Sequence, residues 1–178
     1  MARHARRRWP WRRDSRGSAL IEVALMAPVL LMLMLGIFST GFALSNNISL
    51  NYATREAARF GATLPIEYNL PAWLVEVSEV AVEAGNGKLD PGIDGRRICV
   101  AFVSPGSDPS DRTTRYVLDE NDNATTTVGQ SCFDDGRPVG ERRVQVLTER
   151  NFTFQTGVKN STLLLSSETS VRFERFNG

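Results

Sequence analysis

Glu22 is the only charged residue between Ser18 and Ser45, in the run SALIEVALMAPVLLMLMLGIFSTGFALS. A carboxylate in an apolar helix of this kind costs on the order of a few kcal/mol if it lies deep in lipid, and such groups usually have a partner and a role. One partner would be created by cleavage after Gly17. The new α-amino group would then sit on Ser18, and Glu22 would be the fifth residue of the shortened chain. That amine, largely protonated at neutral pH, would neutralise a carboxylate four residues on or one in a neighbouring subunit. The alternative is that Glu22, one turn from the apolar boundary, snorkels to the headgroups.

The other residues with chemical potential are few. Cys99 and Cys132 are the two cysteines. In an oxidising compartment they would form a disulfide closing a loop of roughly 33 residues, a contribution of about 3–4 kcal/mol; the alternative is two free buried thiols. The single histidine, His4, precedes the apolar run, so a site beyond that run would have no imidazole for base catalysis or metal ligation. Asp119, Asn121 and Asn123 imitate the opening of a calcium loop, but Ala124 stands where that loop needs glycine and Gln130 where it needs a bidentate glutamate. The carboxylate pairs Glu120/Asp122 and Asp134/Asp135 fall in hydrophilic segments. No phosphate-binding or dinucleotide fingerprint is present. We therefore expect no catalytic residues, no metal, no cofactor and no small-molecule substrate.

The elements that position these residues follow from charge and hydropathy. Arg3, Arg6, Arg7, Arg8, Arg12, Arg13 and Arg16 are opposed only by Asp14, so residues 1–17 carry +6; the overall +1 leaves −5 for residues 18–178. A basic patch confined to a tail beside an apolar segment argues against nucleic-acid binding. The 28-residue run from Ser18 to Ser45 would make a helix about 42 Å long, against roughly 30 Å of hydrocarbon, with its backbone satisfied internally. The arginines then predict cytoplasmic residues 1–17 and an external C-terminal domain. A cleaved secretory signal is a competing reading, with Gly41-Phe42-Ala43 as its small-x-small site, although its apolar region would normally be much shorter. A plain signal-anchor helix without processing is another. Arg12-Arg13 lacks the apolar residues that a twin-arginine signal needs directly afterwards. Pro28 predicts a kink near Ala24–Pro28, either a functional flexible point or a tolerated irregularity.

Beyond the span, Asn46 and Asn47 mark the exit, and Ile48, Tyr52, Arg55 and Arg59 continue a helix to about Gly61, read as its cap. Arg55 and Arg59 would face solvent or anionic headgroups. A second helix is predicted from Pro71 to about Ala84, stopped by Gly85-Asn86-Gly87, with Leu74, Val77, Val80, Ala81 and Ala84 apolar and Glu76, Glu79 and Glu83 acidic. Ile98–Val103 reads as a central strand, Val144–Phe154 and Leu163–Phe173 as further strands, and Tyr116–Leu118 as a weaker one. Ser104–Thr114 and Asp119–Gly140 are too polar for core and read as surface loops. The expected fold class is α+β, a short antiparallel sheet with helices on one face. The divisions are a basic leader (1–17), a transmembrane helix (18–45), a juxtamembrane continuation (46–63) and an external domain (64–178).

The segment RGSALIEVALMAPVLLMLMLG resembles the N-terminal region of the TadE-like family, pseudopilins of the tight-adherence (Flp) pilus system. The resemblance rests on Gly17, Ala19, Glu22, Ala24, Leu25, Pro28, the Leu/Met run to Leu35 and Gly36. NYATREAARFGA (Asn51 to Ala62) and SSETSVRFE (Ser166 to Glu174) add to it, while the middle of the chain departs from any family pattern. The family resembles type IV pilins in its processing logic. The resemblance therefore implies a prepilin peptidase cutting between Gly17 and Ser18, with Glu22 at the fifth mature position. It also implies other pilins or pseudopilins as partners through the N-terminal helix, Glu22 answering a neighbour's terminal amine, and work of assembly rather than catalysis. Removing the leader would discard the arginines that hold the topology. The rival from another class is an unprocessed, membrane-anchored binding domain outside the cell, for which Glu22 would be dispensable. An anchored envelope enzyme is a more distant alternative.

Overall fold

A computed structural model of the chain describes residues 15–66, 69–108, 111–138, 140–155 and 160–173, with the side chains of residues 15, 16, 18 and 155 also left aside. The arginines from Arg3 to Arg13, His4, Asp14 and Glu174 lie outside the described residues. The chain divides into two compact units, Met1–Phe38 and Ser39–Gly178.

The first unit is the start of α1, a helix spanning Ser15–Thr63 with Pro28 inside it. Among the described residues it is the one helix long and apolar enough to cross a membrane. Its large apolar side chains are exposed among the described residues: Leu20 is 72% and Ile37 74% exposed. Apolar surface on that scale is stable only against lipid or other apolar helices.

In the second unit the rest of α1 and α2 (Leu70–Ala84) cover one face of a five-stranded antiparallel sheet. The strands are β1 (Arg97–Pro105), β2 (Arg112–Leu118), β3 (Ala124–Val128), β4 (Arg143–Gln155) and β5 (Asn160–Arg172), in the spatial order β3-β2-β1-β4-β5. β1 is central and buried along nearly its whole length, which is why its sequence, ICVAFV, does not alternate. Alternate residues of the three inner strands join the core with the helices: Ile98, Val100 and Phe102 on β1, Tyr116 on β2, Val144 and Val146 on β4.

The helix face that meets the sheet is built of small residues. Ala53, Thr54, Ala57, Ala58 and Ala62 are buried at three- and four-residue spacing beside Leu50, so the backbone approaches the strands closely. Gly61, expected as a cap, lies inside the helix, which continues to Thr63. A Cβ there would meet Val77, Trp73 and Val144 side-chain atoms at 3.0–3.2 Å, so the glycine lets the helix pack closely against α2 and β4 and does not terminate it. This part of the helix therefore contributes to the domain core. α2 begins at Leu70, one residue before the expected start. Asn69 caps it by accepting the Ala72 amide N–H (3.3 Å), and Pro71 sits in its first turn.

β3 was not expected. It lies within Asp119–Gly140, assigned above to a loop, and its residues ATTTV are mostly exposed. Threonine suits a pleated edge strand without contributing to a core, so hydropathy alone does not mark it. The Asp119–Asn123 run is the hairpin turn between β2 and β3. Asp119 Oδ1 accepts the amide N–H groups of Asn121 and Asn123, each at 2.8 Å, and Oδ2 accepts from Asn123 Nδ2 at 2.9 Å. The carboxylate thus serves the turn's own donors, and the Asn123 side-chain bond, followed by the backbone bonds, holds its pKa below the usual value.

Candidate functional site

The candidate residues fall into two groups, one in each unit. In the first, Gly17, Ser18, Glu22 and Pro28 all lie on α1. Ser18 and Glu22 are four residues apart, hence one above the other on the same helix face. An amine at Ser18 and the Glu22 carboxylate would thus lie on one stripe, which suits an ion pair within the chain as well as one between adjacent helices. Glu22 is exposed, and its side chain is open to lipid, solvent or a neighbouring chain. Pro28 has no amide N–H to donate to the carbonyl of Ala24.

In the second unit, Cys99 and Cys132 are joined by a disulfide with their Cα atoms 5.9 Å apart. Cys99 points away from the helices, on the sheet's second face, so the bond fastens the β3–β4 connection over that face. Three further contacts hold the same segment. Gln145, wholly buried in β4, accepts the Cys132 amide N–H with Oε1 (3.2 Å) and donates Nε2–H to the Phe133 carbonyl (3.1 Å). Asp135 Oδ2 accepts from the Ser170 hydroxyl at 2.6 Å and lies 2.8 Å from Arg143 Nε, an ion pair without the alignment of a hydrogen bond at that nitrogen. Arg143 Nη1 donates to the Pro138 and Glu141 carbonyls. The Asp135 side chain is 7% exposed. Burial alone would raise its pKa. The hydrogen bonds from Ser170, Gln145 and the Arg137 amide, with the Arg143 charge, outweigh that and lower it to about 2.

Sequence reasoning singled out the cysteines and the Asp134/Asp135 pair but not Gln145, Arg143 or Ser170. The available signal was Gln145 itself, an amide flanked by Val144 and Val146 in an otherwise apolar strand. The second carboxylate pair is also structural. Asp122 Oδ1 accepts from both Nη atoms of Arg96 at 2.7 Å, the Arg96 side chain being fully buried, and Glu120 accepts the Gly95 amide N–H at 3.1 Å. No group of three or more His, Cys, Asp or Glu residues is placed to hold a metal among the described residues.

A single apolar helix that leads into an α+β domain and supplies part of its core defines a membrane-anchored protein with one folded domain. The family described as TadE-like protein matches residues 17–59, so the chain carries a TadE-like segment that opens at Gly17 and runs through the exposed apolar helix into the domain core. That match and the apolar helix support a membrane-anchored, pilin-like protein. No curated protein matches the chain. No solved structure matches it either.

Proposed function

We propose that the protein is a TadE-like pseudopilin or minor pilin that acts in assembling a Flp-type pilus after a prepilin peptidase cuts between Gly17 and Ser18. The observation that carries this reading is the TadE-like match beginning at Gly17, with Glu22 one helical turn beyond Ser18. Residues 1–17 stay in the cytoplasm and the domain faces outward, as the arginine cluster directs. Cleavage removes seven arginines and leaves a helix whose one carboxylate meets a terminal amine, its own or a neighbour's. The exposed apolar surface of α1 then joins other pilin helices, and Pro28 gives that helix a point at which to bend. The role is structural rather than enzymatic.

The test is the intact mass and N-terminal residue of the protein from membranes with and without a prepilin peptidase. The expected result is a chain beginning at Ser18 only where the peptidase is present. Retention of the arginine tail in both samples overturns the reading in favour of an unprocessed anchored domain. A start at Leu44 would identify the apolar run as a secretory signal.

A further inference from the structure

β4 and β5 are each 13 residues long, but β1 pairs with β4 only as far as Glu149. Beyond Arg150, β5 is the one strand paired with β4, the register continuing through Asn151↔Leu164, Phe152↔Leu163 and Thr153↔Thr162, while on the other edge the Asn151 amide N–H donates to the Asp94 carbonyl at 2.9 Å. The result is a two-stranded arm that extends past the rest of the sheet. An isolated two-stranded ribbon is marginal in water; here Phe152 packs partly against the domain core, while Leu163 and Leu164 stay exposed.

The direction of the arm follows from contacts along α1. A Cβ on Gly61 would lie 3.2 Å from Val144, and Thr54 Oγ1 is hydrogen-bonded to Thr148 Oγ1 at 2.7 Å. Ser167, opposite Thr148 on β5, donates to Asn51 Oδ1 at 2.8 Å. Moving along β4 therefore means moving back along α1 toward Ser45. From Thr148 to Phe152 is about 13 Å of strand, equivalent to roughly nine helical residues, which brings Phe152 and its partner Leu163 level with about Ser45. The burial of α1 agrees: Ala43, Asn46 and Leu50 form a covered stripe, while Leu44 and Ile48 between them are 60% exposed. Ser45 is where the apolar span ends and Asn46-Asn47 begins.

At that level the arm exposes leucine on both of its faces. Leu163, on the helix side with Phe152, is 47% exposed, and Leu164, on the opposite side beside Asn151, is 55% exposed. A ribbon resting on a protein core hides one face and keeps the other polar. We propose that the β4–β5 arm sits at the membrane interface, its Leu163 and Leu164 side chains entering the boundary between headgroups and acyl chains. The occupant is lipid because the arm's exposed apolar pair coincides in depth with the end of the apolar span on the helix it follows. The depth is interfacial and no deeper, since the outer edge of β5 has backbone groups that need water or headgroup partners. The domain is thus held by a second foothold beside α1, with Tyr52, 61% exposed on the helix just above, as an aromatic of the type found at that boundary. The inference rests on α1 crossing the membrane and is independent of processing or pilus entry.

The test uses the full chain in phosphatidylethanolamine/phosphatidylglycerol vesicles, with single cysteines introduced as Leu164→Cys, Leu163→Cys, Thr126→Cys on β3 and Phe38→Cys in the span, each labelled with an environment-sensitive fluorophore. Cys99 and Cys132 are paired and do not take label. Nitroxides placed near the lipid headgroups are expected to quench the Leu163 and Leu164 labels severalfold more than the Thr126 label, and aqueous iodide to do the reverse. Iodide quenching of all three β-sheet labels, with Phe38 still shielded, overturns the arm proposal and leaves the anchor intact. An unshielded Phe38 label overturns the anchor itself. Shielding of Leu164 that disappears when the protein is diluted in lipid would show a second copy as the occupant and likewise overturn the proposal.

Discussion

Asp135 shows how much one side chain contributes when its partners come from three places in the sequence. Its pKa is depressed to about 2 in the fold, against about 3.9 in an unfolded chain. The sign is that of a carboxylate stabilised in its charged form: the contribution is complete above about pH 4 and is lost as pH falls toward 2, and its size is on the order of 2 kcal/mol. Asp135→Asn is therefore expected to destabilise the protein by about that amount at pH 7 and to flatten its acid dependence between pH 4 and 2, as measured by denaturant unfolding in detergent micelles. Unchanged acid sensitivity would mean that another carboxylate governs the transition. Glu22→Leu is expected to leave membrane insertion intact while abolishing recovery of the protein in sheared pilus fractions, with Glu22→Gln intermediate. Equal incorporation of all three forms would remove charge pairing from the mechanism. The Cys99–Cys132 pair was legible in the sequence because two thiols in a polar domain are an exception in their surroundings. Asp135 was not, since one acidic residue among many looks alike until Arg143 and Ser170 are brought to it by strand register.

Among the elements, α1 and the β3–β4 connection carry the most weight. Gly61→Leu is expected to overpack the junction of α1, α2 and β4 and to cost at least about 2 kcal/mol, read as a lowered midpoint in thermal or denaturant unfolding. A neutral outcome would mean that α1 can shift away from the sheet. Replacing both Cys99 and Cys132 by serine opens a loop with a sequence separation of 33 and is expected to cost about 3–4 kcal/mol. Added reductant should have the same effect on the native protein and none on the double variant. Helices and central strands were readable because their apolar periods are long and their ends are punctuated, as at Asn69-Leu70-Pro71 and Gly85-Asn86-Gly87. What failed did so for one physical reason, that burial depends on neighbours. Threonines on an open edge gave β3 no hydropathic signal, and a glycine pressed against Val77 and Trp73 looked like a helix end.

At the scale of the whole molecule, the helix beyond the apolar span is shared with the folded domain. The helix that follows the apolar span contributes Leu50, Ala53, Ala57 and Ala58 to the domain core, and the second compact unit begins at Ser39. A fragment starting at residue 64 is accordingly expected to remain unfolded by circular dichroism and amide dispersion, whereas one starting at residue 39 should fold; a cooperative transition in the shorter fragment would refute this. The same sharing of α1 sets an order of events during synthesis. Thr54 waits for Thr148, 94 residues later, and Asn51 waits for Ser167, 116 residues later. A segment made early is completed by strands made about a hundred residues later. Until β4 and β5 emerge, that part of the helix keeps its inner hydroxyl and amide groups unsatisfied by the sheet. Closure of the domain is therefore a late, long-range event, slow by comparison with local helix formation. The apolar segment leaves the ribosome before β4 and β5 do, so it is available for insertion into a membrane before the domain can close.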